Sequence, residues 1–307
     1  MQNPSPSLLP SPRCGPPEAL SPALVAELVT GALEEDLGSG DLTSQGLVGV
    51  AVQGVGHLIA KQDGILAGQD VFTCAFHLRD PEMTIRWKKN DGEALCKGEQ
   101  VASLQGSVRA LLEAERTALN FLQRMSGTAT LTRSFVRAVQ DTPGARILDT
   151  RKTTPGLRLL ERYAVRCGGG ENHRFGLFDE AMIKENHLAL AGKPLSEALC
   201  ALRASVGPKT RICCEAETEE QARDAIQGGA DVVLLDNFSP EDLGVLCPRL
   251  RVFAQESGRL VELESSGGIT LQTAAAFAAS GVDRLSVGAL THSAPALDLS
   301  LLLEPLV

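Results

Sequence analysis

The sequence predicts an α/β protein in two parts, a small N-terminal α+β domain and then an incomplete β/α barrel. Residues 46–106 contain short alternating runs separated by glycine and Asp-Gly turns, which is typical of an antiparallel sheet with one solvated face. From residue 146 onward, apolar strand-like runs alternate with amphipathic segments, as in parallel β/α units with right-handed crossovers. No GxGxxG follows the first of these runs, which disfavours the competing open doubly wound sheet.

Composition limits the class of protein. The chain has 307 residues, 43% hydrophobic and 22% charged, which is ordinary for a soluble globular protein with one large core or two smaller ones. A sequence pI near 5.2 argues against a nucleic-acid-binding protein. No apolar run reaches the ~18 residues that span a bilayer. Eight cysteines without CxxC pairing favour reduced, mostly buried thiols in a cytoplasmic protein.

The N-terminal elements follow from local signals. Residues 1–20 are rich in proline and predict a disordered tail. Serine and proline at 21–22 then predict a helix start, as N-cap and first-turn residues, and this helix ends at Gly38. After the β-rich region, apolar spacing predicts a helix over 108–125 that ends near Gly127 and a second helix over 129–140.

The second half of the chain is predicted to supply the barrel. Its strand-like runs are 146–149, 181–184, 211–217, 231–236, 260–264 and 284–287. The amphipathic segments between them are 195–206, 219–228, 240–256 and 271–279. Six strands and one irregular unit near 165–175 fall short of a complete eight-stranded barrel, so we expect an incomplete one.

Polar residues at the carboxyl ends of parallel strands should share one mouth. Those at the predicted strand ends are Arg151, Lys152, His173, Arg174, Lys184, Glu215, Glu217, Asp236, Ser266, Gly267, Gly268 and Gly288. From Arg146 to His187 there are eight Lys/Arg against six Asp/Glu, in a chain of net charge −9. This cationic stretch predicts an anion site, because arginine binds carboxylates through two hydrogen bonds and lysine suits phosphate.

The last two strand ends predict a phosphate site. Glycines at Ser266–Gly268 and at Gly288 allow backbone N–H groups to approach a phosphate, and a helix start after Gly268 would add its dipole. Carboxylates in the same mouth could hold Mg²⁺ or ribose hydroxyls. The combination fits a phosphorylated, metal-bound substrate that meets a carboxylated one. The structural alternative is that the strand-end charges only pair with each other.

Several runs in this order resemble one known family. They are TRKTTPG at 150–156, the glycine pair at 169–170 followed by His173 and Arg174, KENH at 184–187, EAE at 215–217, LDNF at 235–238 and SGGI at 266–269. The runs EEDL at 34–37 and GDLT at 40–43 continue the likeness. Over roughly residues 21–300 the chain resembles the quinolinate phosphoribosyltransferases, also called carboxylating nicotinate-nucleotide pyrophosphorylases.

The resemblance implies a domain organisation. It implies an N-terminal α+β sandwich domain at 21–122, joined by the C-terminal segment 291–307, and an open β/α barrel at 123–290. It also implies a homodimer or a higher oligomer in which Arg116 is donated across the subunit interface. Taken alone, Arg116 would instead be a solvated helix charge paired with Glu113 or Asn120.

The resemblance also implies an activity. It is the transfer of phosphoribosyl from phosphoribosyl pyrophosphate to quinolinate with decarboxylation, in NAD biosynthesis. The implied catalytic residues are Lys152, Lys184, Glu217 and Asp236. The implied substrate-binding residues are Arg116, Thr150, Arg151, Lys152, His173, Arg174, Lys184, Glu217, Asp236, Ser266, Gly267, Gly268 and Gly288. Mg²⁺ is the implied cofactor, held by Glu217 and Asp236 either directly or through pyrophosphate.

Three alternatives remain open at this point. A Schiff-base lyase or aldolase on the same barrel would use Lys152 or Lys184 as a desolvated amine. A related enzyme could bind a different acid, although the three arginines at 116, 151 and 174 suit two carboxylates. A non-catalytic anion-binding subunit would have no need of Glu217 and Asp236 beside the phosphate loop.

Overall fold

The computed structural model describes residues 19–306. The elements of its first half are α1 (Pro22–Leu37), α2 (Leu42–Leu47), β1 (Gln53–Ala60), β2 (Gly64–Ile65), α3 (Gln69–Arg79), β3 (Thr84–Trp87), β4 (Ala94–Leu95), β5 (Gln100–Ser107) and α4 (Val108–Ala138). Most of the predicted tail lies outside the described residues. Leu20, at its end, is buried in the N-terminal core.

The second half alternates strands and helices. Its elements are β6 (Arg146–Leu148), α5 (Arg158–Cys167), β7 (Ala181–Ile183), α6 (Glu185–Ala191), α7 (Leu195–Val206), β8 (Ile212–Ala216), α8 (Glu219–Gln227), β9 (Val232–Asp236), α9 (Pro240–Glu256), β10 (Glu262–Ser266), α10 (Ala274–Ala279), β11 (Arg284–Ser286), α11 (Ala289–His292) and β12 (Leu299–Pro305).

The N-terminal sheet is antiparallel, with strand order β12-β1-β5-β3. Its edge strand β12 comes from the end of the chain and pairs with β1 from Gly54 opposite Pro305 to Ala60 opposite Leu299. Helices α1, α3 and α4 pack together, and their buried residues, with those of the sheet, form one hydrophobic core that includes Phe72. The predicted α+β sandwich is therefore confirmed.

Two helix predictions in this half are wrong. The predicted break near Gly127 does not occur, because α4 runs unbroken for 31 residues from Val108 to Ala138. A Cβ on Gly127 would lie 2.0 Å from the carbonyl oxygen of Pro295, so this glycine permits a close approach instead of ending the helix. Helix α3 was predicted as part of the β-rich region, although its buried residues Val71, Phe72, Ala75 and Phe76 have helical spacing.

The second sheet is parallel, with strand order β6-β11-β10-β9-β8-β7. All six predicted strands are confirmed to within two residues at each end. Beside β6, the segment that contains Glu171 makes a single parallel bridge to Leu148 and fills the place of the predicted irregular unit. The sheet is open between this segment and β7, as expected for an incomplete barrel.

Apolar packing in the barrel domain lies mainly between the sheet and the surrounding helices. The apolar cluster on the other face of the sheet is small, formed by Cys213, Val232 and Leu234 with Met182 packed against it. Because all six strands are parallel, their carboxyl ends meet at one rim, where the predicted site residues begin.

Within residues 19–306, no helix has the length and apolarity needed to cross a membrane. The described cysteines are free thiols. Cys167, Cys213, Cys214 and Cys247 are buried, whereas Cys96 and Cys200 are exposed.

Candidate active site

A cavity of about 570 Å³ opens at the carboxyl ends of the parallel strands. Ten of the predicted site residues line it: Thr150, Arg151, Lys152, His173, Arg174, Lys184, Ser266, Gly267, Gly268 and Gly288. A concave site of this volume suits a small-molecule substrate. The structure therefore brings together most of the residues that the sequence analysis placed at one mouth.

The segment after β6 is tied to the helix that follows the neighbouring strand. The hydroxyl of Thr291 in α11 donates a 2.7 Å hydrogen bond to the carbonyl of Lys152, which joins the end of β6 to the helix after β11. A Cβ on Gly288 would lie 3.1 Å from Cδ of Lys152, so the glycine leaves room for the lysine side chain to cross. Both Arg151 and Lys152 are exposed to solvent at the cavity mouth.

His173 and Arg174 come from the irregular segment beside β6. Nδ1 of buried His173 accepts a 2.7 Å hydrogen bond from the Arg174 backbone N–H, which assigns the ring proton to Nε2. That Nε2 lies 3.0 Å from a carboxylate oxygen of Glu264. Burial, and then the positive charge of Arg151, lower the pKa of Arg174, and both arginines line the cavity.

Lys184 directly follows β7, and its ammonium pairs with the carboxylate of Glu215 on β8. Asp236, at the end of β9, is the next acid along the rim. Burial and then repulsion from Glu215 raise the pKa of Asp236, while Lys184 and Lys152 act in the opposite direction. Two carboxylates and the Lys184 ammonium thus lie at this part of the rim, and Lys152, which follows β6, acts on Asp236 through its charge.

Glu217 lies outside the cavity. Strand β8 ends at Ala216, so Glu217 begins the following turn, where its backbone N–H donates to the side chain of Gln221 at 2.8 Å. Within the described residues, none of Glu215, Glu217 and Asp236 lines the cavity, but the Glu217 side chain is exposed, whereas Glu215 and Asp236 are half-buried. The expectation that Glu215 and Glu217 face the mouth together is therefore wrong for Glu217. The carboxylate at the rim is Glu215, which the sequence analysis grouped with Glu217 but did not choose.

Arg116 lies on α4 in the N-terminal domain, exposed and away from this cavity. Glu113, the partner that helix spacing suggests for it, pairs instead with Arg79 at 2.6 Å. The predicted role of Arg116 requires a second subunit, so it stays a prediction.

The glycine turn after β10 is held by the neighbouring strand. Gly267 and Gly268 have φ values of +98° and +62°, in the left-handed region that favours glycine. Asn237, with φ of 61°, is the one non-glycine residue with positive φ between residues 19 and 306. Its backbone N–H donates to the Ser266 carbonyl at 3.0 Å, and its side chain donates to Asp236 at 2.8 Å. Through these two hydrogen bonds, Asn237 links the glycine turn to the carboxylate of Asp236.

The predicted helix start directly after this glycine pair is wrong. Helix α10 begins only at Ala274, after a turn in which Thr273 donates its hydroxyl to the Thr270 carbonyl at 3.2 Å. The groups available to a phosphate here are thus the backbone N–H groups of the glycine turn.

Sequence reasoning missed two titratable residues that line the cavity, Glu264 and His292. Glu264 is fully buried and accepts a 2.5 Å hydrogen bond from Ser286 besides its contact with His173. A charged residue inside a buried strand needs a partner, and that signal could have identified Glu264. His292 lies beside Gly288 in a four-residue helix, and the sequence gives no comparable signal for it.

Within residues 19–306, no group of three or more His, Cys, Asp or Glu side chains could enclose a metal ion. Mg²⁺ is commonly held by one or two carboxylates together with substrate phosphate oxygens. The neighbouring carboxylates of Glu215 and Asp236 fit that requirement, because a cation between them would offset the repulsion that raises the Asp236 pKa.

Family models match most of the chain. Residues 41–126 match the N-terminal domain of quinolinate phosphoribosyl transferase, and residues 128–302 match its C-terminal domain. The chain belongs to the quinolinate phosphoribosyltransferase family. The C-terminal model extends into β12, the strand that completes the N-terminal sheet.

Individual relatives agree with this family assignment. A probable carboxylating nicotinate-nucleotide pyrophosphorylase of Bacillus subtilis is 47% identical over 267 residues, covering 87% of this chain and 89% of the relative. The carboxylating nicotinate-nucleotide pyrophosphorylase of Mycobacterium leprae is 42% identical over 278 residues, covering 88% and 94%. The crystal structure of NadC from Streptococcus pyogenes superposes with a TM-score of 0.88 at 38% identity, covering 94% of this chain and all of that one.

Proposed function

We propose that this protein transfers the phosphoribosyl group of 5-phosphoribosyl 1-pyrophosphate to quinolinate. The products are nicotinate mononucleotide, pyrophosphate and CO₂, which makes this a step of de novo NAD biosynthesis. The observation that carries the proposal is the cavity where Arg151, Arg174 and Lys184 converge opposite a glycine turn, in a chain of this family. Quinolinate has two carboxylates, and arginine binds carboxylates through paired hydrogen bonds.

The cavity divides into two ends by the chemistry of its walls. Quinolinate fits the arginine-rich end, formed by Thr150, Arg151, His173, Arg174 and Lys184. The phosphoribosyl donor fits the end formed by Lys152, Ser266, Gly267, Gly268 and Gly288, where backbone N–H groups are accessible. Its 5′-phosphate would occupy the glycine turn, which places the ribose between the two ends.

The transfer begins at C1 of the ribose. The bond from C1 to pyrophosphate breaks, the oxygen keeps the electron pair, and C1 becomes positively charged. Glu215 and Asp236, beside the cavity, would stabilise that charge as preorganised carboxylates. The lone pair of the pyridine nitrogen then forms the new bond to C1. We assign this carboxylate role to Glu215 instead of Glu217 because Glu215 pairs with Lys184 at the rim.

Decarboxylation follows from the charge on the ring. After transfer the pyridine nitrogen is positive, so it stabilises the electron pair left on the adjacent carbon when CO₂ departs. That carbon then takes up a proton. No covalent enzyme intermediate is needed, and the pairing of the Lys184 ammonium with Glu215 disfavours the Schiff-base alternative, which requires a neutral amine.

We further propose Mg²⁺ as the cofactor, with Glu215 and Asp236 as its protein ligands, either directly or through bound pyrophosphate. When bound, the ion supplies positive charge to the departing pyrophosphate. Lys152, which lines the cavity beside Gly288, would provide a second positive charge for that group.

The quaternary structure is also a proposal. We propose a homodimer in which exposed Arg116 enters the partner subunit's cavity and adds a third arginine at the quinolinate end. The exposure of Arg116 and the pairing of Glu113 with Arg79 instead of Arg116 support this assignment. A cytoplasmic location is supported by the free thiols of the described cysteines.

The activity is tested with purified protein, quinolinate, phosphoribosyl pyrophosphate and Mg²⁺. We expect CO₂ and nicotinate mononucleotide in equal amounts, measured by labelled-CO₂ release and chromatography. Nicotinate in place of quinolinate is the control, because it lacks the second carboxylate that the arginines would bind. An absence of CO₂ release, or equal turnover of nicotinate, would contradict the proposed function.

The choice of rim carboxylate is tested with the pair Glu215→Gln and Glu217→Gln. Glu215→Gln should lower kcat by about 100-fold or more, because it removes negative charge next to the developing positive charge. Glu217→Gln should stay within about twofold of wild type, because Glu217 is an exposed turn residue. Large loss in Glu217→Gln with none in Glu215→Gln would return the role to Glu217.

A further inference from the structure

Asp149 is a wholly buried carboxylate that does not line the cavity. It follows β6 directly and precedes Thr150, the first residue of the cavity wall. A buried carboxylate is costly unless hydrogen bonds satisfy it, so its partners indicate its role. One oxygen accepts a 2.7 Å hydrogen bond from the backbone N–H of His173, and the other accepts one of 2.6 Å from the Asn172 side chain.

Arg162 on α5 completes the arrangement. Its Nη1 lies 3.6 Å from the carboxylate of Asp149. The same nitrogen donates to the carbonyl oxygens of His173 at 2.7 Å and Arg174 at 3.2 Å. The guanidinium also lies over the ring of Phe175, with 5.2 Å from its carbon to the ring centre. One buried ion pair therefore holds both the N–H and the carbonyl groups of the segment that carries His173 and Arg174.

We infer that Asp149 and Arg162 are positioning residues that fix His173 and Arg174 relative to Arg151 and Lys152. Neither residue reaches the cavity. They act through the backbone, since Asp149 is continuous with the strand end that carries Arg151 and is bonded to the segment that carries Arg174. The spacing between the two arginines at the quinolinate end then depends on this pair. The inference rests on the proposed function, because it specifies how the quinolinate end of that site is built.

The pair also gives the site a dependence on pH. Burial raises the pKa of Asp149 from 3.8 to about 6, against the opposing effects of Arg162, the His173 N–H, Asn172 and the His173 ring. Those groups lie on α5 and on the irregular segment, the elements that face the carboxylate. Protonation removes its attraction for Arg162, so quinolinate binding should weaken as pH falls through about 6.

The test compares Arg162→Met and Arg162→Lys with Arg166→Met, a matched control one turn later on α5. KM is measured for each substrate at saturating concentration of the other. We expect Arg162→Met to raise the quinolinate KM by about 10- to 100-fold, because small misplacements of binding groups are costly. The phosphoribosyl pyrophosphate KM should stay within about twofold, Arg162→Lys should be intermediate, and Arg166→Met should behave as wild type.

Asp149→Asn supplies the second readout. In wild type the quinolinate KM should rise as pH is lowered through about 6, and in Asp149→Asn this rise should be lost. An unchanged quinolinate KM in Arg162→Met, or equal rises for both substrates, would overturn the inference. If Arg162→Met fails to fold, Arg162→Lys decides by the same KM comparison. Inactive wild-type protein would instead refute the proposed function, so the two failures are distinguishable.

Discussion

Gly127 provides the sharpest test of how the two domains are joined. It lies in the middle of α4, where alanine is favoured over glycine by about 1 kcal/mol. In this structure, however, the three atoms nearest to an added Cβ would all belong to the backbone: the Pro295 carbonyl oxygen at 2.0 Å, its carbon at 3.0 Å and Cα of Ala296 at 3.1 Å. Backbone cannot rotate away as a flexible side chain can, so either the helix or the C-terminal segment must move.

That segment is held against α4 by three hydrogen bonds. The Leu297 N–H donates to the Gln123 carbonyl at 2.9 Å, Arg124 donates to the Ala294 carbonyl at 2.9 Å, and the Gln123 side chain donates to the Leu299 carbonyl at 2.7 Å. Each bond contributes about 1 kcal/mol, and overpacking itself costs about 1–3 kcal/mol. With all three bonds lost, the expected net loss for Gly127→Ala is therefore about 3–5 kcal/mol after the helix propensity gain of about 1 kcal/mol.

The matched control is Gly31→Ala on α1. Gly31 is also in a helix interior, but it is exposed and an added Cβ would meet nothing within 4 Å. At this position only the higher helix propensity of alanine acts, so Gly31→Ala should raise the free energy of unfolding by about 0.5–1 kcal/mol. Urea unfolding measures the stability of both variants. The protein concentration is kept fixed, because association of subunits would change the apparent free energy of unfolding. The reasoning is refuted if Gly127→Ala matches or exceeds wild type while Gly31→Ala is stabilised as expected.

Two further predictions concern binding. Gly267→Ala should raise the phosphoribosyl pyrophosphate KM about 10-fold or more, because its Cβ would lie 2.3 Å from Oδ1 of Asn237. Gly268→Ala should raise this KM less, because an added Cβ there has a strained φ but meets no atom within 4 Å. The reverse order of effects would contradict the proposed phosphate turn. Arg116→Ala and Arg174→Ala should each be inactive when tested alone. An equal mixture of the two variants should recover about a quarter of wild-type activity, because half of the dimers would be mixed and each mixed dimer would have one intact site of two. No recovery in verified mixed dimers would argue against the shared site.

The barrel was predictable because its signals are local. Each parallel strand is an apolar run, each crossover helix has its own period, and parallel direction alone brings the strand ends to one rim. This is why Arg151, Lys184 and Gly268, distant in sequence, were correctly expected at one cavity. In the N-terminal domain the pairing of β1 with β12 joins residues from opposite ends of the chain, and nothing local in either strand indicates the other.

The finer parts of the site depend on features that a pattern does not contain. Alternation places Glu215 and Glu217 on the same face only while the strand continues, and β8 ends between them. The glycine at 127 was interpreted as a helix end, although its reason is a chain segment some 170 residues later. Asp149 and Arg162 could not be paired from the sequence, since their contact depends on the path of an irregular segment.

Charged side chains on the barrel strands form ion pairs, and one of these residues also lines the cavity. Typical β/α barrels fill their interior with branched apolar side chains. Here Glu262 pairs with Arg146 and Arg211, and Arg284 lies 3.6 Å from Glu262 and 3.0 Å from Glu264. Of these pairs only Arg284 with Glu264 is buried on both sides, and removing one member of that pair would leave an uncompensated charge at a cost of about 3–5 kcal/mol.

Glu264 belongs to this ion network and also to the cavity wall, where it holds the ring of His173. A substitution there would unbalance Arg284 and release His173 at the same time. Loss of activity in a Glu264 variant would therefore say little about catalysis unless stability were measured beside it. Asp149 and Arg162 form an ion pair of their own, but His173 contacts both Asp149 and Glu264, so the free energy of unfolding has to be measured beside KM in their variants as well.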